Sequence, residues 1–294
     1  VSPLGRIFTA MITPFAADGA VDVEEAVRIA RFLVERGNDG VVVAGTTGES
    51  ATLDAGEKLA LFGAIKAALP HATVIAGTSG NDTRASVALT REAVATGVDA
   101  ILAVVPYYNK PPQDGLLRHF GAIAEATTLP VVLYNVPSRT GANLLPATVH
   151  ELARRHANIV AVKESTGSVE QFTALVRDRV RDDFRVWSGD DYFFLPALAL
   201  GATGLVSVAG HVCSRELRAL ADAFAGGEVA SAARIHADLF PLFSALFAIS
   251  SPIPVKWAMS RYGFGSAACR SPLGAMTADL EAILGPLIAP YHPG

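Results

Sequence analysis

Ile159-Val160-Ala161-Val162-Lys163-Glu164-Ser165 sends four apolar residues straight into a lysine, and Ser165-Thr166-Gly167 then breaks the run. A stretch that stays apolar at successive positions, instead of alternating, has the pattern of a parallel strand covered on both faces. Lys163 falls at its carboxyl end, where parallel α/β folds bind their ligands. An ammonium among apolar walls loses hydration, and desolvation favours the neutral amine, the form that attacks a ketone. Taken alone, such a lysine reads more readily as a strand-end side chain reaching for solvent. The rest of the chain has to separate the two.

Working outward, short apolar runs that fit strands recur at 7–12, 40–43, 73–75, 100–105, 131–134, 184–188 and 204–206, which with 159–163 makes eight. Between them lie segments of helical period at 23–36, 57–69, 83–96, 115–126, 145–155, 169–180 and 191–200. In the first, Val23, Ala26, Ile29, Ala30 and Leu33 share one face, and Asp22 is placed to cap the first turn. Asp54 with Glu57 three residues on forms a capping box. Eight strand-then-helix units without a long linker predict a closed (β/α)8 TIM barrel, and no Gly-x-Gly-x-x-Gly follows the first strand to support an open dinucleotide-binding sheet.

A chain of 294 residues suits a barrel, which typically takes about 250, plus an addition. The barrel is expected over 1–214. Residues 215–294 hold further helical patterns at 215–224, 229–247, 254–262 and 276–288, predicting a small carboxyl-terminal helical region that closes the barrel and packs on its side.

At 51% hydrophobic, 18% charged and a net charge of −4, the chain lacks the basic field that nucleic-acid binding requires. Its two cysteines, Cys213 and Cys269, are too few for a disulfide framework. The amino-terminal Val1-Ser2-Pro3-Leu4-Gly5-Arg6 has no charged-then-apolar signal pattern, and Pro, Gly or charge interrupts every apolar run before membrane-spanning length. A cytoplasmic protein is the expectation.

A barrel brings all its strand ends to one mouth, and here those ends are polar and glycine-rich. Gly45-Thr46-Thr47-Gly48-Glu49-Ser50 follows the second strand; its hydroxyls and N–H groups suit a carboxylate nest, or equally an ordinary turn. Pro106-Tyr107-Tyr108-Asn109 follows the fourth. Tyr134 ends the fifth, where a phenol packs well and, beside Thr46 and a second phenol, also passes protons. Arg139, just beyond, presents a planar fork that matches a carboxylate.

Together with Tyr134-Asn135-Val136-Pro137-Ser138-Arg139-Thr140-Gly141, Val162-Lys163-Glu164, Ser188-Gly189-Asp190-Asp191 and Pro252-Ile253-Pro254-Val255-Lys256, these blocks resemble the dihydrodipicolinate synthase family, within the N-acetylneuraminate lyase group of aldolases. Each block is weak alone; six in order across the whole chain are specific. The resemblance implies a class I aldolase, using no metal and no cofactor, that condenses pyruvate with aspartate-4-semialdehyde in lysine and diaminopimelate biosynthesis. By that resemblance Lys163 forms the pyruvate imine, and Tyr134, Thr46 and Tyr108 relay protons, Tyr108 reaching into a neighbouring subunit. Thr47 and the Thr46 backbone hold the pyruvate carboxylate, Arg139 holds the semialdehyde carboxylate, and the backbone around Gly189 and Val206 lines the pocket. A homotetramer, built as a dimer of tight dimers, is implied. The seven histidines show no metal-ligand spacing on one helix or strand.

The alternative within the group is a pyruvate-dependent lyase acting on a sialic acid or a keto-deoxy sugar acid, since a strand-end change can alter aldehyde choice. Four positions depart from the family pattern. His211 stands where members commonly carry Asn. Around the site that binds inhibitory lysine in regulated members, Ser50, Ala51, Asn81 and Tyr107 match, but Ala55 and Lys58 replace histidines or similar polar residues and Ala85 replaces a glutamate. Loss of an acidic partner and gain of a like charge predict weak or absent inhibition by lysine.

Overall fold

The computed structural model describes residues 4–293, so Val1, Ser2 and Pro3 of the amino-terminal stretch lie outside the described residues, as does Gly294. In chain order the elements are β1 (Ile7–Ala10), α1 (Val23–Glu35), β2 (Gly40–Val43), α2 (Ala55–Ala68), β3 (Thr73–Gly77), α3 (Thr83–Ala95), β4 (Ala100–Val104), α4 (Gln113–Glu125), β5 (Val131–Asn135), α5 (Pro137–Thr140), α6 (Pro146–Arg155), β6 (Ile159–Glu164), α7 (Val169–Arg177), β7 (Arg185–Ser188), α8 (Phe194–Ala199) and β8 (Gly204–Ser207). All strand pairings are parallel and β8 closes on β1, giving the (β/α)8 barrel that the alternation predicts.

The caps fall where the sequence puts them. Asp22 accepts from the Glu25 N–H at 2.9 Å, and the Asp54–Glu57 capping box is formed in both directions. Two apolar layers result. Phe8, Val42, Ile75, Val132, Trp187 and Val206 belong to the cluster inside the barrel, and a larger one joins the strands to the helices. Phe8 and Trp187 meet with ring centroids 5.0 Å apart, so the barrel is plugged rather than hollow.

The departures from the sequence reading have identifiable causes. β1 stops at Ala10 because the Ile12 N–H leaves the ladder and donates to His211 Nε2 at 3.1 Å. The helix expected from 191 starts at Phe194, because the Asp191 carboxylate turns away to accept the N–H groups of Val208 and Ala209 at 3.1 and 2.9 Å. The turn carrying Arg139 is itself a short helix, α5, led by Pro137.

After the barrel come α9 (Gly210–Ala225), α10 (Val229–Leu246), α11 (Ile253–Arg261) and α12 (Ala278–Ile288). α9 runs across residue 214 and is broken at Cys213 (φ −125°, ψ 39°), which is why the regular helical pattern is legible only beyond it. α10 packs on α9 and α12, and α11 packs on both as well. The carboxyl-terminal region does more than lie against the barrel's side: Lys256, Arg270, Pro272 and Leu273 reach the β2–α2 loop and the cavity beside it. Among the described residues no helix is long and apolar enough to cross a membrane.

Closure of the barrel depends on one small residue. A Cβ on Gly204 would run into the backbone carbonyl of Arg6, where β8 meets the start of β1. Gly204→Ala should therefore lower folding stability by about 1–3 kcal/mol or more, the usual penalty of overpacking. A denaturant midpoint equal to that of the wild type would contradict this.

Candidate active site

Side chains alternate along a strand, so in β6 Lys163 and Ser165 point into the barrel and Glu164 points out. The register sets Lys163 opposite Tyr134 of β5 on one side and Trp187 of β7 on the other. Lys163 is only 5% exposed, and its Nζ lies 4.1 Å from the centre of the Tyr134 ring. Gly189 completes the enclosure: a Cβ there would collide with Ser165 Oγ and come within 2.7 Å of Lys163 Cε.

The expectation of apolar walls is wrong in one respect. Besides the Tyr134 ring, two carboxylates come from the turn after β7, Asp190 half-buried and Asp191 fully buried, and both feel the charge of Lys163. Burial pushes the Asp190 carboxyl up to about 6, while the charge of Lys163 acts the other way. Asp191, fully enclosed, is also raised by burial, against hydrogen bonds from Ser207, Ala209 and Val208 and the charge of Lys163.

On the outward face Glu164 is completely buried, and among the described residues it is in no ion pair. Its carboxylate accepts from Asn135 Nδ2 at 3.0 Å, Gln171 Nε2 at 2.9 Å and the Thr166 N–H at 2.8 Å. Burial raises its pKa and these donors oppose the rise. Asn135 in turn bonds Asn143 at 2.7 Å and the Leu144 N–H at 2.9 Å. This polar lock joins β5, β6, α7 and the α5–α6 connection behind the lysine.

A cavity of ≈ 570 Å³ opens beside Tyr134. Thr46, Tyr134 and Arg139 line it, and so do Tyr107, Ser50, Asn81, Ala55, Lys58 and Ala85. The predicted relay pair Thr46 and Tyr134 therefore faces one space with Arg139, and Lys163 adjoins it through the Tyr134 ring. Thr47 is buried in the same turn, 5% exposed, and Val206 lies in the barrel-interior cluster with Tyr134. Tyr108 is not brought in. It is 88% exposed, with its backbone in the left-handed region (φ 73°).

Sequence reasoning misses Ser165, whose buried Oγ beside Lys163 has no hydrogen-bond partner among the described residues, although its position two residues on from the lysine is the available signal. His211 is explained by its bonds: Nε2 accepts from Ile12, Nδ1 meets the Val208 carbonyl at 2.8 Å, and burial lowers its pKa to about 4. It is a neutral, fixed connector between β1 and α9.

The sequence model of the Dihydrodipicolinate synthetase family matches residues 3–288. The chain belongs to this family. Relatives include the 4-hydroxy-tetrahydrodipicolinate synthases of Moorella thermoacetica, 52% identical over 96% of this chain and 97% of that one, and of Synechococcus elongatus, 50% identical over 96% and 94%. Among solved structures, DHDPS from Cyanidioschyzon merolae with lysine bound superposes with a TM-score of 0.95 at 43% identity, covering 97% of each chain. Dihydrodipicolinate synthase DapA-2 from Bacillus anthracis gives 0.94 at 42%, covering 97% and 98%. The chain is thus an enzyme of the dihydrodipicolinate synthetase family.

In this family member the state of Asp190 is open to a direct test. Its folded pKa of about 6 lies above the ordinary carboxyl value, so the stability it contributes is present at pH below that ordinary value and lost as pH rises through 6. Asp190→Asn should be more stable than wild type at neutral pH by on the order of 1 kcal/mol, with the difference gone near pH 4. Denaturation at both pH values measures it; a gap independent of pH contradicts the assignment.

Proposed function

We propose that the chain condenses pyruvate with aspartate-4-semialdehyde to 4-hydroxy-tetrahydrodipicolinate through an imine on Lys163, in the route to diaminopimelate and lysine. The observation that carries the reading is a buried lysine at a strand's carboxyl end with its Nζ against Tyr134, beside a cavity that Tyr134 shares with Thr46 and Arg139. Lys163 Nζ adds to the keto carbon of pyruvate, and the carbonyl oxygen leaves as water. The iminium withdraws electrons from the former methyl group, which gives up a proton to form an enamine; the enamine carbon then attacks the aldehyde. The amine of the semialdehyde displaces Lys163 and closes the ring, freeing the enzyme.

Proton traffic falls to Tyr134 and Thr46. Thr47 and the Thr46 backbone hold the pyruvate carboxylate, Arg139 holds the semialdehyde carboxylate, and the backbone at Gly189 and Val206 forms the wall. Arg139 is in no ion pair among the described residues, which leaves its fork available. Tyr108 completes the relay from a second copy of the chain in a homotetramer. An exposed aromatic residue in the left-handed region carries a cost on the order of 1 kcal/mol or more, and docking against a partner is what would hold it there.

Turnover of aspartate semialdehyde with pyruvate, set against cleavage of sialic and keto-deoxy sugar acids, tests the substrate; preference for a sugar acid would overturn the reading. Tyr134→Phe should lower turnover by on the order of 10²-fold or more, and unchanged turnover would remove Tyr134 from the relay.

Feedback by lysine is proposed to be weak or absent. In the same cavity Lys58 is half-buried, its pKa lowered by burial, and Ala55 and Ala85 bring no acidic side chain; of the two carboxylates that also line it, Asp82 caps α3 through the Ala85 N–H and Glu49 is held by Lys256. Titration with L-lysine at subsaturating pyruvate should leave the rate nearly unchanged to millimolar concentrations. Clear submillimolar inhibition would show that other residues bind it.

A further inference from the structure

The β2–α2 loop that carries Thr46 and Thr47 lies between two non-glycine residues in the left-handed region, Ala44 (φ 53°) and Glu49 (φ 55°). Each such residue costs on the order of 1–3 kcal/mol and persists only where surrounding structure enforces it. At Glu49 the enforcement comes from the other end of the chain. Its Oε1 accepts from Lys256 Nζ at 2.7 Å, with the two side chains 1% and 0% exposed. Its Oε2 accepts from the Arg270 N–H at 2.8 Å.

Both cations also rest on one ring. Lys256 Nζ lies 4.1 Å, and the Arg270 guanidinium carbon 4.5 Å, from the centre of Phe15. The Arg270 guanidinium then donates to the Thr52 carbonyl at 2.8 Å, to the Glu57 carboxylate at 2.8 and 2.5 Å and to the Gly19 carbonyl at 2.8 Å. From the barrel side Thr13 Oγ1 donates to the Gly48 carbonyl at 2.7 Å. The loop is thus gripped at Gly48, Glu49 and Thr52, directly after the two threonines.

Resting on the function proposed above, we propose that the buried Glu49–Lys256 pair, with the half-buried Arg270 beside it, is a positioning device, through which α11 and the segment after it hold Thr46 and Thr47 in register with Lys163. A buried ion pair contributes little net stability, since desolvation offsets its attraction, and replacing both partners by neutral groups of like volume is often harmless to the fold. What the pair supplies that a neutral pair cannot is a fixed conformation at Glu49. A displacement of about 1 Å at a positioned group lowers rate by up to ~10²-fold.

The test compares Lys256→Met with the double variant Glu49→Gln/Lys256→Met. The single variant strands a buried carboxylate and should unfold early; the double variant removes both charges and should regain a thermal midpoint near that of the wild type. Its kcat should stay at least about tenfold down and its pyruvate KM should rise, while saturating pyruvate with borohydride still labels Lys163. Recovery of kcat and KM together with the midpoint would overturn the proposal and make the cluster purely structural. Should the double variant not fold, Arg270→Gln decides: it keeps the backbone N–H to Glu49 but loses the grip on Thr52, and an unchanged pyruvate KM contradicts the proposal. A wild type that takes no pyruvate label would count against the assigned chemistry, whereas a labelled, active wild type matched by its variants would count against the clamp alone.

Discussion

An ammonium enclosed in a barrel of parallel strands finds no free strand edge to bond with, and the surroundings of Lys163 answer to that constraint. Each strand is paired on both sides, so backbone groups of the wall are already engaged. The amine is met instead by the face of Tyr134, and the carboxyl groups of Asp190 and Asp191 enter from the turn after β7. These neighbours keep the lysine dry, and among the described residues no hydrogen-bond donor is lodged against its nitrogen.

The two faces of β6 divide the work. Inward lie Lys163 and the unpartnered hydroxyl of Ser165, with Gly189 packed against both. Outward lies Glu164, with donors from Asn135, Gln171 and Thr166. A one-residue slip of the strand would exchange these environments, putting a carboxylate inside the barrel and an amine in the polar lock. The satisfied network behind the strand therefore fixes the register on which the reactive face depends, as outer hydrogen bonds fix the geometry of sites elsewhere.

What could be read from the sequence follows from how local each signal is. β6 and its lysine are legible because four apolar residues and a cation stand side by side, and α2 because Asp54 and Glu57 are three apart. The apolar pattern overstates the extents of β1 and α8 because Ile12 and Asp191 bond to residues 199 and 17 or 18 positions away. Glu49–Lys256, 207 residues apart, carries no local mark at all. Arg139 and Tyr134 were picked out by position after one strand, yet α5, the short helix that presents Arg139, was hidden in a Pro-Ser-Arg-Thr run that reads as a loop. The shared cavity of Thr46, Tyr134 and Arg139 emerges only when β2 and β5 are brought to the same mouth.

The central claim, that Lys163 is the residue joined to pyruvate, is tested most directly by mass spectrometry of the protein after pyruvate and borohydride. The account predicts one stable adduct per chain, located on the peptide containing Lys163 and missing from Lys163→Ala. No adduct on the wild type, or an adduct that survives in Lys163→Ala, would contradict it.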